Sequence, residues 1–428
     1  MLARIKSGVR ALFRAGGSGR RASPAPLPVG RPPAVEEVLT YDPSSDSQCP
    51  ARPILTLEQC PVCGGAESTR VSKYNRFALF DRTPDAASAI YNYSLCHGCG
   101  VVYAARRPAG ERYRWLLERF EETLGRAEVG VPRSGKFALS SSSLTDEGRE
   151  QLRRMIAHGV FVSGHSGLTT KEYLPSLMND RLASSMHVEI LGSLLSLKAP
   201  RVLEIRSRLG SLSAMLQRLY GASCAVMTIF ENQRFLIEEV YGCPAACPID
   251  FDAFGIPFDG RFDLIISNHM LTHSVRPKEF LATVRNRLTR GGHLYLYQEP
   301  MEAEFLERGK SMFNTLNPFH LQTFNQASGV RALEANGFTV IFCTVRDDLF
   351  LALAQAVDSP DGAWARMSDS ERSRRRFAYR VANDAAILRV PEHLRGPFAK
   401  DWDAVVERSL AAGTATRSKD GRIRVTRT

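Results

Sequence analysis

The chain has 428 residues, 44% of them apolar and 24% charged, with 56 Lys+Arg against 45 Asp+Glu for a net charge of +11. At about 150 residues per domain this length predicts two or three domains with a real core, and the composition excludes a disordered or fibrous chain. The longest apolar run, 349–354, is far short of the roughly 20 residues of a membrane-spanning helix, so no transmembrane segment is expected.

The positive charge sits at the ends. Residues 1–34 hold seven basic residues and no acid, and residues 361–428 hold 15 basic and 9 acidic, so the ends carry +7 and +6 and the remainder, 35–360, carries −2. A basic face reading nucleic acid should mark a surface of the body, so no specific nucleic-acid partner is expected.

Residues 1–48 form a basic tail with a Pro-rich linker at 24–33. Leu2, Ile5, Val9, Leu12 and Phe13 fall at helical spacing with Arg4, Lys6, Arg10 and Arg14 between them. One reading is a helix lying on an anionic membrane surface; the other is a solvated tail. The stretch lacks the apolar core of a secretory signal, although its Arg- and Ser-rich, acid-poor character is also that of transit peptides. A cytoplasmic protein is expected, with peripheral contact between its basic termini and an anionic membrane as the further reading.

Residues 49–105 carry the clearest local signal. Cys60 and Cys63 lie two residues apart in CPVCGG, and Cys96 and Cys99 likewise in CHGCG. Each C-x-x-C-G has the form of a zinc knuckle: two thiolates reach one ion from a tight turn, and Gly64 or Gly100 lets the backbone curl beneath the sulfurs. Four thiolates close a tetrahedral site with no open position, so a structural Zn2+ is expected. Two disulfides are the alternative, disfavoured by nine cysteines in total and the missing secretory signal. Cys49, Cys224, Cys243, Cys247 and Cys343 read as ordinary thiols.

Residues 106–170 read as a helical connector, with a helix over 111–124 and a Gly/Ser-rich stretch after it. From 171 to 357 helices alternate with short apolar runs: a helix at 177–198, then strands at 201–205, 224–230, 247–250, 262–268, 291–299, 339–345 and 349–354 with helices between most of them. The segment 321–338 reads as mostly helix. Near-continuous apolar strands separated by helices predict an α/β fold with a doubly wound, mostly parallel sheet covered on both faces. The last two strands lack a helix between them and predict a hairpin with an antiparallel edge strand.

Residues 358–428 form a basic helical segment. Ser368-Asp369-Ser370-Glu371 predicts a helix start by a capping box. Arg372, Arg374, Arg375, Arg376 and Arg380 read as a solvated helix face, or as a contact for anionic lipid or a partner. The final residues read as a frayed basic tail.

The segment FDLIISNHMLTHSVRPKEFLATVRNRLTRGGHLYLYQE, 262–299, resembles the fourth strand, helix, Gly-Gly turn and fifth strand of class I S-adenosylmethionine-dependent methyltransferases. ALEANGFTVIF is similar to the closing helix and sixth strand. The resemblance covers 171–357 and implies a Rossmann-like fold, S-adenosylmethionine as cofactor and methyl transfer to a small molecule. A four-cysteine module ahead of such a domain is similar to sugar C-methyltransferases, which implies a nucleotide-linked or envelope sugar, although those relatives usually carry a larger third domain.

By the same resemblance, Glu204 matches the acid that meets the methionine amino group, Glu231 the ribose hydroxyls, and Asp250 with Phe251 the adenine. Asn268 and Glu299, at the ends of the fourth and fifth strands, are placed to orient ligand or substrate. The glycine-rich turn departs from the family pattern: of Glu204, Ile205, Arg206, Ser207, Arg208, Leu209 and Gly210, only the last keeps a glycine. Arginine adds bulk and a positive charge where a backbone should approach a sulfonium closely. The readings are arginines turned outward beside a working site, an anionic-ligand pocket built on Arg206 and Arg208, or a catalytically inactive scaffold.

Methyl transfer needs positioning and, for most acceptors, a base. His273 matches the histidine that follows the fourth strand in the family, and His320 lies in the loop after the fifth, so both are candidate catalytic residues; His269 sits at a strand end. Asn317-Pro318-Phe319 is similar to the motif of base-modifying amino methyltransferases but falls after the wrong strand.

Overall fold

A computed structural model describes residues 54–72, 93–108, 113, 173–207, 210–229, 234, 237–238, 241–247, 249–298, 320–346, 349–357, 364–388, 402–419 and 423–425. The basic N-terminal stretch, Cys49, the connector helix apart from Tyr113, Arg208, Glu231, Glu299 and Asn317-Pro318-Phe319 lie outside these residues.

Among the described residues the N-terminal module contains β1 (Ile54–Thr56), β2 (Ser68–Ser72), β3 (Tyr93–Cys96), β4 (Val102–Ala104) and β5 (Arg106–Pro108). β1 and β5 pair with each other, and β2, β3 and β4 form an antiparallel ladder.

Next come α1 (Tyr173–Leu194), β6 (Arg201–Ile205), α2 (Ser211–Tyr220), β7 (Ser223–Met227), β8 (Ala245–Ala246), β9 (Phe262–Asn268), α3 (Met270–His273), α4 (Pro277–Asn286) and β10 (Leu288–Gln298). β11 (Gln322–Thr323), α5 (Gln326–Glu334), β12 (Phe338–Arg346) and β13 (Leu349–Ala356) complete the body. The sheet runs β12-β13-β10-β9-β6-β7-β8, with β13 antiparallel to both neighbours and the pairs among β10, β9, β6, β7 and β8 parallel. This is the expected Rossmann-like methyltransferase architecture. One apolar cluster covers each sheet face, with Leu203, Ile205 and Ile265 on one side and Val202, Leu264 and Ile266 on the other.

Several expectations are corrected. The antiparallel strand is not at the edge: β13 lies between β10 and β12. Residues 350–354 are all buried and need a neighbour on each side, whereas β12 leaves Ile341 half exposed and so takes the edge. β7 ends at Met227, and β8 lies just ahead of 247–250, where Pro248 has no amide to donate to a ladder. β10 starts earlier than expected and runs through Gly291-Gly292 with a register shift between Leu288 and His293.

The segment 321–338 begins as a strand. β11 leaves the body and pairs antiparallel with β4, so the N-terminal module and the α/β body share a four-stranded sheet. They also share a core: Cys60, Val62, Cys99 and Tyr103 pack in one cluster with Phe280, Phe324 and Phe350. α5 then starts from a capping box formed by Asn325 and Ser328.

α6 (Asp369–Leu388) begins where the capping residues predict, with the Glu371 amide donating to Ser368 Oγ at 3.2 Å. Its Glu371 carboxylate turns instead to Arg331 of α5, at 2.6 Å. Arg375, read as part of a solvated face, is buried and donates to the Gly100 carbonyl. α7 (Trp402–Ala411) follows, and the supposed frayed tail forms a hairpin of β14 (Ala415–Arg417) and β15 (Ile423–Val425). Among the described residues no helix is long and apolar enough to cross a membrane.

Candidate active site and metal centre

The four ribbon cysteines converge. Their sulfurs all lie within 4.8 Å of one another, with Cys60 to Cys99 at 3.8 Å and Cys63 to Cys96 at 3.6 Å. Four sulfurs at about 2.3 Å from a central ion define a tetrahedron with edges of about 3.8 Å, so the donors present fit a closed tetrathiolate site. These separations are far beyond a disulfide bond, and all four are free thiols.

The two knuckles are built alike. Gly64 and Gly100 adopt φ of 76° and 77°, and their amides donate to the carbonyls of Cys60 and Cys96. Only glycine takes this left-handed conformation without cost. Burial holds the Cys99 thiol well above its ordinary value, while hydrogen bonds from Cys60, Cys96 and Cys99 pull Cys63 down. A cation would release this competition by stabilising every thiolate at once.

The chain runs from β6 outward to β8 on one side and from β9 to β10 on the other, so the strand order reverses between the parallel neighbours β6 and β9. In open parallel sheets the ligand crevice lies at the carboxyl ends of the strands at that point. Two non-glycine residues with left-handed backbone mark this place: Arg206 follows β6 with φ 61°, and His269 follows β9 with φ 52°. Such conformations cost free energy and cluster at functional sites. Arg206 thus keeps the backbone path that a glycine would take, with its side chain partly buried.

Glu204 is buried at the end of β6 and accepts from Ser213 of α2, from the amide at 3.1 Å and the hydroxyl at 2.5 Å. It therefore fixes α2 against the turn. Gly210 opens α2 with φ 78° and donates to Ser207 Oγ; a Cβ there would come within 2.9 Å of Ile237. Beyond β8, Asp250 Oδ1 accepts from the amides of Asp252 and Ala253 at 2.8 and 3.0 Å, which sets the loop that carries the buried ring of Phe251.

His273 and His320, far apart in sequence, come together. Their rings lie edge to face with centroids 5.3 Å apart, and Phe251 packs against His273 at 6.1 Å. Tyr113 in turn packs on Phe251 at 6.1 Å. Both histidines are buried.

The N-terminal module fixes this pair. Tyr93 of β3 donates its hydroxyl to the His320 carbonyl at 3.0 Å, and the Ala104 amide donates to the Leu321 carbonyl at 2.8 Å. The Gln322 side-chain amide donates to the carbonyls of Leu271 and Ser274, at 2.5 and 2.7 Å, gripping the short turn that ends in His273. Gln322 Oε1 accepts from Arg107 at 2.9 Å, and Arg107 also donates to the Val275 carbonyl. Arg107 is 1% exposed, so this contact is sealed from water.

Sequence reasoning missed Gln322 and Arg107 because nothing in their local pattern marks them; their roles exist only once β11 joins β4. Of a group of polar atoms at the strand ends it named only Asn268 and missed Ser267 and Gln298. Ser267 Oγ, Asn268 Oδ1 and both amide atoms of Gln298 are buried with no hydrogen-bond partner among the described residues. Another side chain was equally invisible: His187 of α1 stacks on Tyr297 at 4.1 Å and shares a hydrogen bond with the Tyr295 hydroxyl at 2.9 Å.

Residues 203–296 match the family model described as a methyltransferase domain. No curated protein matches the chain. Among solved structures it is similar to magnesium protoporphyrin IX methyltransferase from Synechocystis PCC 6803 with bound SAH, at 17% identity and TM-score 0.34, covering 48% of this chain and 94% of that one. It is also similar to 1,6-didemethyltoxoflavin-N1-methyltransferase from Burkholderia thailandensis, at 15% identity and TM-score 0.34, covering 49% and 87%. A further similar structure is an S-adenosylmethionine-dependent methyltransferase from Mesorhizobium loti, at 14% identity and TM-score 0.33, covering 39% and 96%. The match to a methyltransferase-domain model over 203–296 thus falls on the central strands of a Rossmann-like seven-stranded sheet, in a chain that also carries a four-cysteine cluster.

Proposed function

We propose that the chain transfers a methyl group from S-adenosylmethionine to a small molecule, with a nucleotide-linked or envelope sugar as the acceptor class. The observation that carries this reading is the methyltransferase-domain match over 203–296, which spans β6 to β10 and so brackets the crevice where His273 meets His320. The sugar assignment rests on the likeness of the ribbon-plus-domain arrangement alone.

The residues at the strand ends fit a polar cofactor. The buried polar atoms of Ser267, Asn268 and Gln298 call for bonds that a polar ligand would supply. The turn after β6 keeps its left-handed conformation despite Arg206. In this reading Glu204 and Gly210 hold the methionine end, Glu231 the ribose, Asp250 and Phe251 the adenine, and Asn268 the approach to the acceptor. The cofactor, when bound, supplies an electrophilic methyl group on a sulfonium.

The chain's own residues then bind, orient and take a proton. His273 or His320 accepts the acceptor's proton on an imidazole nitrogen as the acceptor is alkylated, and the neighbouring ring orients the base. Phe251 and Tyr113 close the apolar side and exclude water. A zinc ion held by Cys60, Cys63, Cys96 and Cys99 would fix the ribbon and, through Tyr93, the His320 backbone. Calorimetric titration of the full chain with S-adenosylhomocysteine tests the reading.

A further inference from the structure

Away from the crevice, four arginines converge on one cleft. It has a volume of about 400 Å³ and is lined by Arg70 and Val71 of β2, Arg376, Arg380 and Asp384 of α6, and Arg408 of α7. Four arginines and one aspartate give the lining a net +3. Asp384 is buried and spends both oxygens on Arg408, at 2.8 and 2.9 Å. Arg70, Arg376 and Arg380 form no ion pair with any described residue.

This arrangement is electrostatically unfavourable by itself. Arg376 and Arg380 are one turn apart on the same face of α6, where like charges repel, and Arg70 faces them from the edge strand of the ribbon. The walls hold them there. Arg375 is anchored on the Gly100 carbonyl, Glu371 is paired with Arg331, and Tyr379 is buried against the ribbon sheet, so α6 cannot swing away to relieve the repulsion. Guanidinium groups are planar forks that match the oxygens of phosphate, and three of them on a concave wall favour an anion with more than one charged group. The cleft is of the size of small-ligand pockets, which run from about 300 to 1,000 Å³, and exceeds what a lone phosphate fills.

We infer that this cleft binds the diphosphate group of a small soluble molecule. It shares no residue with the methyltransferase crevice and is a second site. Its concave shape, with β2 on one side and α6 and α7 on the other, suits an inserted group better than a flat bilayer surface.

The test is calorimetric titration of the full chain with inorganic pyrophosphate, alongside a vesicle-binding arm with phosphatidylglycerol. The expected result is saturable, one-to-one binding, weakened about tenfold by each of Arg70→Gln, Arg376→Gln and Arg380→Gln, as loss of a charge-assisted hydrogen bond requires. Arg374→Gln, an exposed arginine of the same helix outside the lining, should leave it unchanged. Absence of saturable binding, an equal loss in the Arg374 variant, insensitivity to the three lining variants, or binding to vesicles but not to free pyrophosphate would each overturn the assignment.

Discussion

The hydroxyl of Tyr93, on the ribbon strand that ends in a zinc-type cysteine, donates at 3.0 Å to the main-chain carbonyl of His320, one of two histidines paired in the crevice. The ribbon is therefore part of the wall that sets the position of a candidate base. Tyr93→Phe keeps the ring and removes this bond. It should cost about 1 kcal/mol of stability. With tritiated methyl donor and a panel of nucleotide-linked keto-sugars, it should lower kcat while leaving KM for the donor unchanged. A purely packing role for Tyr93 would leave kcat untouched.

The histidine pair makes a sharper forecast. Removing a general base typically costs a factor of 10² to 10⁴, roughly, in rate. Either His273→Ala or His320→Ala should fall in that range. The double variant should fall little further if one ring serves the other. S-adenosylhomocysteine affinity should hardly move, which separates a lost base from a lost site.

Metal analysis should find about one zinc per chain, lost in Cys63→Ser and Cys99→Ser. Because Cys60, Cys99, Val62 and Tyr103 pack in the same cluster as Phe280 and Phe350, loss of the ion should lower the melting temperature of the whole chain in one transition. Loss of a structural metal is among the few single changes that cost more than about 4 kcal/mol. Two separate transitions, with the α/β body unaffected, would contradict the shared core.

Acid stability offers a test of the buried aromatic floor. Burial pushes the His187 imidazole down to about 4, against an ordinary 6.5. Above the ordinary value the ring is neutral in both folded and unfolded chains and favours neither. Between about 6.5 and 4 the unfolded chain binds a proton that the folded chain refuses, so stability falls with pH, by about 3 kcal/mol across that window. His187→Gln keeps a hydrogen-bonding group for Tyr295 but cannot titrate. Urea unfolding at pH 7 and pH 4.5 should show a smaller difference for this variant than for the natural chain.

The parallel strands were readable where burial on both faces forces a continuous apolar run. β6 and β9 coincide with RVLEI and FDLIISN for that reason, and the Cys-x-x-Cys-Gly pairs were readable because metal chemistry fixes their local geometry. β11 was not readable. Gln322 and Thr323 form a strand only two residues long, too short to leave an alternating pattern, and their conformation is imposed by pairing with β4 of a module more than 200 residues earlier. The same holds for Arg107, Arg331 and Arg375, whose sequence says solvated charge and whose surroundings are carbonyls and a carboxylate across an internal seam. His273 and His320 were nameable as candidates, but only the fold brings their rings within contact.

The proposed function requires that the crevice between β6 and β9 accept S-adenosylmethionine with Arg206 standing where a glycine is expected. Calorimetric titration of the full chain with S-adenosylhomocysteine measures this directly. One saturable site per chain, weakened by Asp250→Ala, is the predicted result. No heat of binding at millimolar ligand would contradict it.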